Sequence, residues 1–133
     1  MRKNHYSLVR KFWECTDGIK LTIGDSENEF ESFLKRNKGM SFICKDKSIL
    51  IGTILCGHDG RRGFIYHLAV DKNYRNMSIA KTLINKSITQ LKSQGIKRCM
   101  LMADSINENA KSFWIKMQWR KRDDLQMFSI DLK

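Results

Sequence analysis

Apolar residues recur at helical spacing near the start of the chain. Within residues 6–14, Tyr6, Val9, Phe12 and Trp13 share one face of a predicted helix. Thr16-Asp17-Gly18 breaks the pattern. Asp25 or Ser26 then caps a second predicted helix that turns Phe30, Phe33 and Leu34 inward, and Asn37-Lys38-Gly39 ends it. The period next changes to two. Residues 40–45 alternate, with Met40, Phe42 and Cys44 on one side. Residues 48–56 are β-prone and almost wholly apolar, as a strand buried on both faces must be. The glycine-rich loop 57–63 suits a hairpin connection, and residues 64–70 form the next strand.

The polar stretch Asp71-Lys72-Asn73-Tyr74-Arg75 leads into a long helix over 78–94, on which Ile79, Leu83, Ile84, Ile88 and Leu91 make one stripe. Gly95 terminates it. Residues 97–103 read as a strand. Residues 107–117 return to helical spacing, with Ala110, Phe113, Trp114 and Met117 at i, i+3, i+4 and i+7. Residues 125–132 alternate again and predict a closing strand. The order is α α β β β α β α β. A hairpin at 48–70 and a right-handed parallel crossover at 64–103 predict a mixed α/β (α+β) sheet with helices on both faces. The length of 133 residues fits one domain spanning 1–133.

Composition narrows the class. Apolar residues are 41% of the chain, enough for a core, and proline is absent, which excludes Pro-rich linkers. No apolar run is long enough to span a bilayer, and the first ten residues lack the apolar stretch of a signal peptide, so the cytoplasm is the expected location. Cys15, Cys44, Cys56 and Cys99 are scattered, without zinc-type spacing; no metal is expected, and the cysteines read as small core residues. The net charge of +11 lies wholly within residues 61–122, which hold 14 Lys/Arg and 3 Asp/Glu. Such a surface attracts phosphates, on nucleic acid or on a nucleotide cofactor, or serves only solubility.

The chemistry concentrates at 68–83. A buried strand feeds a polar turn that opens a helix, and the unpaired N–H groups of that first turn carry partial positive charge suited to a pyrophosphate. Arg75 and Lys81 bracket the turn with full charges. The run Y-R-x-x-S-I-A at 74–80 resembles the acyl-CoA signature R/Q-x-x-G-x-G/A of the GNAT N-acetyltransferase superfamily. A second block, N-x-x-A-x-x-F-W-x-x-x-Q-W at 107–119, is similar to that family's N-x-x-A-x-x-x-Y-x-x-x-G-F. Residues 6–132 follow the family's order, and several segments look like a bacterial subgroup. The resemblance implies a GNAT-like acyl-CoA N-acyltransferase fold. It places Arg75, Asn76, Met77, Ser78, Ile79 and Ala80, with Lys81 beside them, around the CoA pyrophosphate. Leu68, Ala69 and Val70 then pair with the pantetheine arm, and Asn107 hydrogen-bonds it.

The chain departs from the family pattern at five places. Ser78 stands for the leading Gly of the signature, with a hydroxyl that could cap the helix. Trp114 stands for a tyrosine that often protonates the departing thiolate. Phe64 stands where some members keep an acidic base, which leaves Tyr66 or His67, neighbours on one strand, as candidates; strict alternation lets only one of them face the cleft. The first strand of the family is missing or vestigial, which would bare a sheet edge for an altered edge or a homodimer to cover. Gln118 stands for a Gly before Trp119.

The resulting expectation is transfer of an acetyl group from acetyl-CoA to a primary amine, small-molecule or peptide, by direct attack in a ternary complex. The acetyl-CoA lies in a splay between strands 64–70 and 97–103, and a backbone N–H near Leu68–Val70 stabilises the oxyanion. Arg61 and Arg62 of the hairpin loop favour an acceptor bearing a carboxylate or phosphate, or are simply solvated. Two alternatives stand beside this: a degenerate acyl-CoA-binding or regulatory domain, and a basic nucleic-acid-binding protein, for which no recognition motif is present.

Overall fold

A computed structural model describes residues 1–132. Two compact units divide the chain; the first is Met1–Met102 and the second begins at Ala103.

In the first unit, α1 (Tyr6–Glu14) and α2 (Glu27–Arg36) precede the hairpins β1 (Phe42–Asp46), β2 (Ile49–His58) and β3 (Gly63–Val70); α3 (Ile79–Ser93) and β4 (Cys99–Leu101) follow. The sheet order is β1-β2-β3-β4. The β1–β2 and β2–β3 pairs are antiparallel, and β3–β4 is parallel, as the crossover predicts. No strand precedes α1 among the described residues, and β1 stands at the sheet edge.

The apolar patterns explain the layers. Val9, Trp13 and Phe30 of α1 and α2 pack with Leu50 and Leu55 of β2 on one face. On the other face, Gly52 and Gly63 let α3 close down: a Cβ at Gly52 would meet Ile79 and Leu83 at 3.2 Å, and one at Gly63 would meet Leu91 Cδ1 at 2.7 Å. Leu83, Ile84 and Leu91 of the predicted stripe are buried. Buried Ser87 donates to the Met40 carbonyl at 2.8 Å, tying α3 to the entry of β1. Burying Leu83, Ile84 or Leu91 contributes roughly 1.5–3 kcal/mol each. Ser26 rather than Asp25 caps α2, its Oγ accepting from the Glu29 N–H at 3.3 Å. Gly95, at φ 78°, ends α3 as expected, with Ile96 N–H reaching back to the Leu91 carbonyl.

The second unit contains α4 (Glu108–Lys116), with Ala110, Phe113, Trp114 and Met117 on its half-buried side. The predicted closing strand at 125–132 does not form; these residues join no ladder, and Leu125, Met127, Phe128, Ile130 and Leu132 are exposed. Alternation favours a two-faced surface, but a strand exists only where its backbone finds a partner edge. The cysteines also depart from expectation. Cys56 is buried, Cys44 and Cys99 are half-buried, and Cys15 is exposed beyond the end of α1.

Candidate active site

The parallel ladder between β3 and β4 runs from Gly63↔Cys99 to Ile65↔Leu101, while β3 continues to Val70. From Tyr66 onward, β3 is therefore paired on its β2 side only. At the same point its register with β2 shifts: Leu55 faces Tyr66 and Thr53 faces Ala69, so His67 and Leu68 together oppose Ile54. This is a β-bulge, which kinks a strand and re-aims its side chains. His67 carries the strain, at φ 46°; the left-handed region costs a non-glycine residue roughly 1–2 kcal/mol.

The bulge overturns the expectation that Tyr66 and His67 face opposite ways. The Tyr66 ring meets Phe33 of α2 edge-on at 6.0 Å, and the His67 ring meets Trp13 of α1 at 4.6 Å. Both lie on the α1/α2 side. Tyr66 stands partly in solvent beside Phe64, and burial of the rest pushes its phenol above the usual tyrosine value. At neutral pH it is a proton donor.

His67 belongs to a network that the sequence patterns do not reveal. Its Nε2 lies 2.7 Å from Oδ1 of Asp25, a residue only 7% exposed. Oδ2 of Asp25 accepts from the Thr22 N–H at 2.8 Å and the Thr22 hydroxyl at 3.3 Å. The Asp25 carbonyl accepts from the Tyr6 hydroxyl at 3.0 Å and Arg10 Nη1 at 2.9 Å. In sequence Asp25 reads only as a possible helix cap; its partner is 42 residues away.

Beyond β3, a 3₁₀ turn at Lys72–Tyr74 is capped by Asp71, whose Oδ1 accepts from the Asn73 N–H at 2.8 Å. Tyr74 Oη donates to Asp46 Oδ2 at 2.8 Å, anchoring the turn to the end of β1. Arg75 is extended, Asn76 is left-handed at φ 64°, and Ser78 is left-handed at φ 62°, ψ 18°. Turns that bring successive backbone N–H groups together can form a concave side that attracts anions. Ser78 is the N-cap of α3 but makes no side-chain cap, contrary to the expected role of its hydroxyl. The N–H groups of Ile79, Ala80 and Lys81 precede the first i→i−4 bond, from Thr82 to Ser78, at 3.0 Å. Arg75, Asn76, Met77 and Lys81 are exposed around the turn, whereas Ile79 and Ala80 are half-buried.

Of the remaining predicted residues, Leu68 and Val70 are half-buried and Ala69 is buried in β3. In the second unit, Asn107 caps α4, its Oδ1 accepting from the Ala110 N–H at 3.0 Å. Trp114 packs edge-on against Phe113 at 5.2 Å and Trp119 at 4.7 Å. In the β2–β3 loop, Asp59 Oδ1 accepts from the N–H groups of Arg61 and Arg62 at 2.7 and 2.8 Å, holding its carboxyl below the usual value. Among the described residues no helix is long and apolar enough to cross a membrane, and no cluster of metal-binding side chains occurs.

A mixed sheet whose parallel strands part beside a bulge, with a polar turn leading into a helix, is the GNAT-like architecture that the resemblance implies. Residues 5–118 match the acetyltransferase (GNAT) family, and the chain belongs to it. It is an acetyltransferase of the GNAT type. It is 27% identical over 124 residues to an acetyltransferase of Sodalis glossinidius (strain morsitans), covering 93% of this chain and 87% of that protein. Over 122 residues it is 25% identical to an acetyltransferase of Pectobacterium atrosepticum, covering 92% and 86%. Among solved structures it resembles an aminoglycoside acetyltransferase from an uncultured soil metagenomic sample in complex with trehalose (TM-score 0.74, 22% identity, 100% of this chain and 93% of that one). It also resembles AAC(6')-Iy in complex with the bisubstrate analogue CoA-S-monomethyl-acetylneamine (TM-score 0.75, 15% identity, 99% and 95%).

Proposed function

We propose that this acetyltransferase moves an acetyl group from acetyl-CoA to the primary amine of a small molecule, by direct attack with both substrates bound. The observation that carries the reading is the parting of β3 from β4 after Ile65↔Leu101, at the strained bulge of His67. A strand with one edge free offers backbone groups to an extended, amide-bearing chain such as pantetheine, through Leu68, Ala69 and Val70. The turn from Arg75 to Lys81 fits the pyrophosphate, because its first-turn amides lack a side-chain cap and two cations flank them. The left-handed backbone at Ser78 supports equating it with the signature's leading glycine.

Within this reading, a backbone N–H of Leu68–Val70 stabilises the oxyanion, and His67 or Tyr66 handles the proton. Neutral Tyr66 suits donation to the departing thiolate, a role that Trp114, whose indole is no acid, cannot take. Asn107 is assigned to the pantetheine by its motif. The aminoglycoside neighbours make polyamine sugars the first acceptors to try.

Calorimetry with acetyl-CoA, followed by thiol release across a panel of amines that includes aminoglycosides, tests the proposal. Micromolar binding with amine-dependent thiol release is expected. Binding without release for any amine would leave an acyl-CoA-binding domain, and no binding would refute the proposed site.

A further inference from the structure

Resting on the proposed reaction, the geometry points to Asp25 and His67 as a carboxylate–imidazole pair: His67 Nδ1 takes the proton of the attacking amine, and Asp25 positions the ring. Neither the family motifs nor local spacing marks Asp25. The inference rests on three features of the structure.

The first is which ring nitrogen is free. Nε2 is committed to Asp25 Oδ1 at 2.7 Å. A carboxylate oxygen accepts and an imidazole N–H donates, so this contact fits the tautomer with its hydrogen on Nε2 and the lone pair on Nδ1. No protein group among the described residues hydrogen-bonds Nδ1, yet no buried side-chain nitrogen or oxygen lacks a partner. Nδ1 is therefore not sealed off from solvent, in a ring whose side chain is 16% exposed.

The second is how firmly the carboxylate is held. Asp25 Oδ2 accepts two bonds from Thr22, and the Asp25 carbonyl is fixed by Tyr6 and Arg10. The Trp13 ring packs against the imidazole at 4.6 Å, tilted by 59°. A ring held by packing and a second-layer carboxylate is pre-organised as a base.

The third is location. The bulge puts His67 in a costly left-handed conformation at the point where β3 loses β4. Strain of this kind gathers at functional sites. An ordinary packing histidine needs neither that conformation nor an open nitrogen.

In the step, the amine lone pair forms the bond to the thioester carbonyl carbon. The carbon–sulfur bond breaks, and its electron pair leaves with the CoA thiolate. The proton shed by the nitrogen goes to Nδ1, and the resulting imidazolium keeps its Nε2–H on Asp25.

Nitrogen-15 NMR of the wild-type imidazoles tests the pair without turnover, and the neutral His67 ring is expected to carry its proton on Nε2. Steady-state kinetics of Asp25→Asn then separate positioning from folding. Its kcat is expected to fall about 10–100-fold, as for loss of an outer carboxylate on a functional histidine. Its acetyl-CoA Kd and amine KM should stay within about threefold, a loss confined to the chemical step. A wild-type ring with its proton on Nδ1, or an Asp25→Asn enzyme with unchanged kcat, overturns the pair and leaves the proposed function standing. A wild-type protein that binds no acetyl-CoA overturns the proposed function, and proton transfer at His67 falls with it.

Discussion

The Trp13 indole N–H donates to Thr53 Oγ1 at 2.9 Å, deep between α1 and β2. The same hydroxyl donates onward to the His67 carbonyl at 3.0 Å. Thr53 is 0% exposed, so one buried hydroxyl satisfies two groups and ties the first helix to the bulge of the candidate site. Thr53→Val keeps the shape and removes the hydroxyl, leaving a buried donor and a strained carbonyl without their partner. The expected cost is about 1–3 kcal/mol. Urea unfolding should show a lower midpoint at unchanged slope, and Thr53→Ser should recover most of the loss. A Thr53→Val protein as stable as wild type would show that the chain of bonds contributes nothing.

At the phosphate turn, the left-handed Ser78 sets up a test of the proposed binding site. Its side chain makes no cap, so removing it relieves backbone strain without losing a cap. Ser78→Gly should stabilise the protein by about 1 kcal/mol, less the extra entropy of glycine in the unfolded chain. With the Cβ gone, acetyl-CoA should bind several-fold more tightly in calorimetry. Weaker binding by Ser78→Gly would mean that the serine hydroxyl itself holds the phosphate.

The scaffold was legible in the sequence where periodicity is strong. The stripe on α3, the apolar run of β2 and the parallel crossover all follow from local pattern. So does the turn at 74–80, since a polar break between a strand and an amphipathic helix has few other structures available. The active face was less legible. The bulge lacks its usual marker, because a histidine, not a glycine, takes the positive φ. Asp25 competes with Ser26 as a helix cap in sequence, and only the folded chain brings it to His67. At 125–132, alternation predicts a strand, but ladder formation depends on a partner that no local pattern specifies.

The thiols give a prediction with a definite order and sign. Cys15 is exposed and should be alkylated first by iodoacetamide, with Cys56 and Cys99 last. Burial pushes the Cys56 thiol up to about 11 and the Cys99 thiol up to about 12, with Cys56 adding to the latter. Raised values mean that the folded state keeps protons the unfolded state has released. Their stabilising contribution is complete below the ordinary thiol value of 9.0 and is lost as pH rises through about 11 and about 12. Urea midpoints measured across that range should fall, and fall less in Cys56→Ala. An equal fall in both proteins would assign the alkaline loss to other groups.

Gln118 closes α4 in a conformation suited to glycine, with φ at 67°. Its N–H bonds the Ile115 carbonyl at 2.9 Å, and the Trp119 N–H bonds the Trp114 carbonyl at 3.0 Å. These two bonds form a Schellman motif, whose left-handed position is most often glycine. The family resemblance also puts glycine there. Gln118→Gly should therefore stabilise α4 by about 1 kcal/mol, slowing hydrogen exchange of the Trp119 amide roughly fivefold. Gln118→Val, with a branched Cβ in the same conformation, should speed it instead. If Gly and Val behave alike, backbone strain at Gln118 is not what limits the end of this helix.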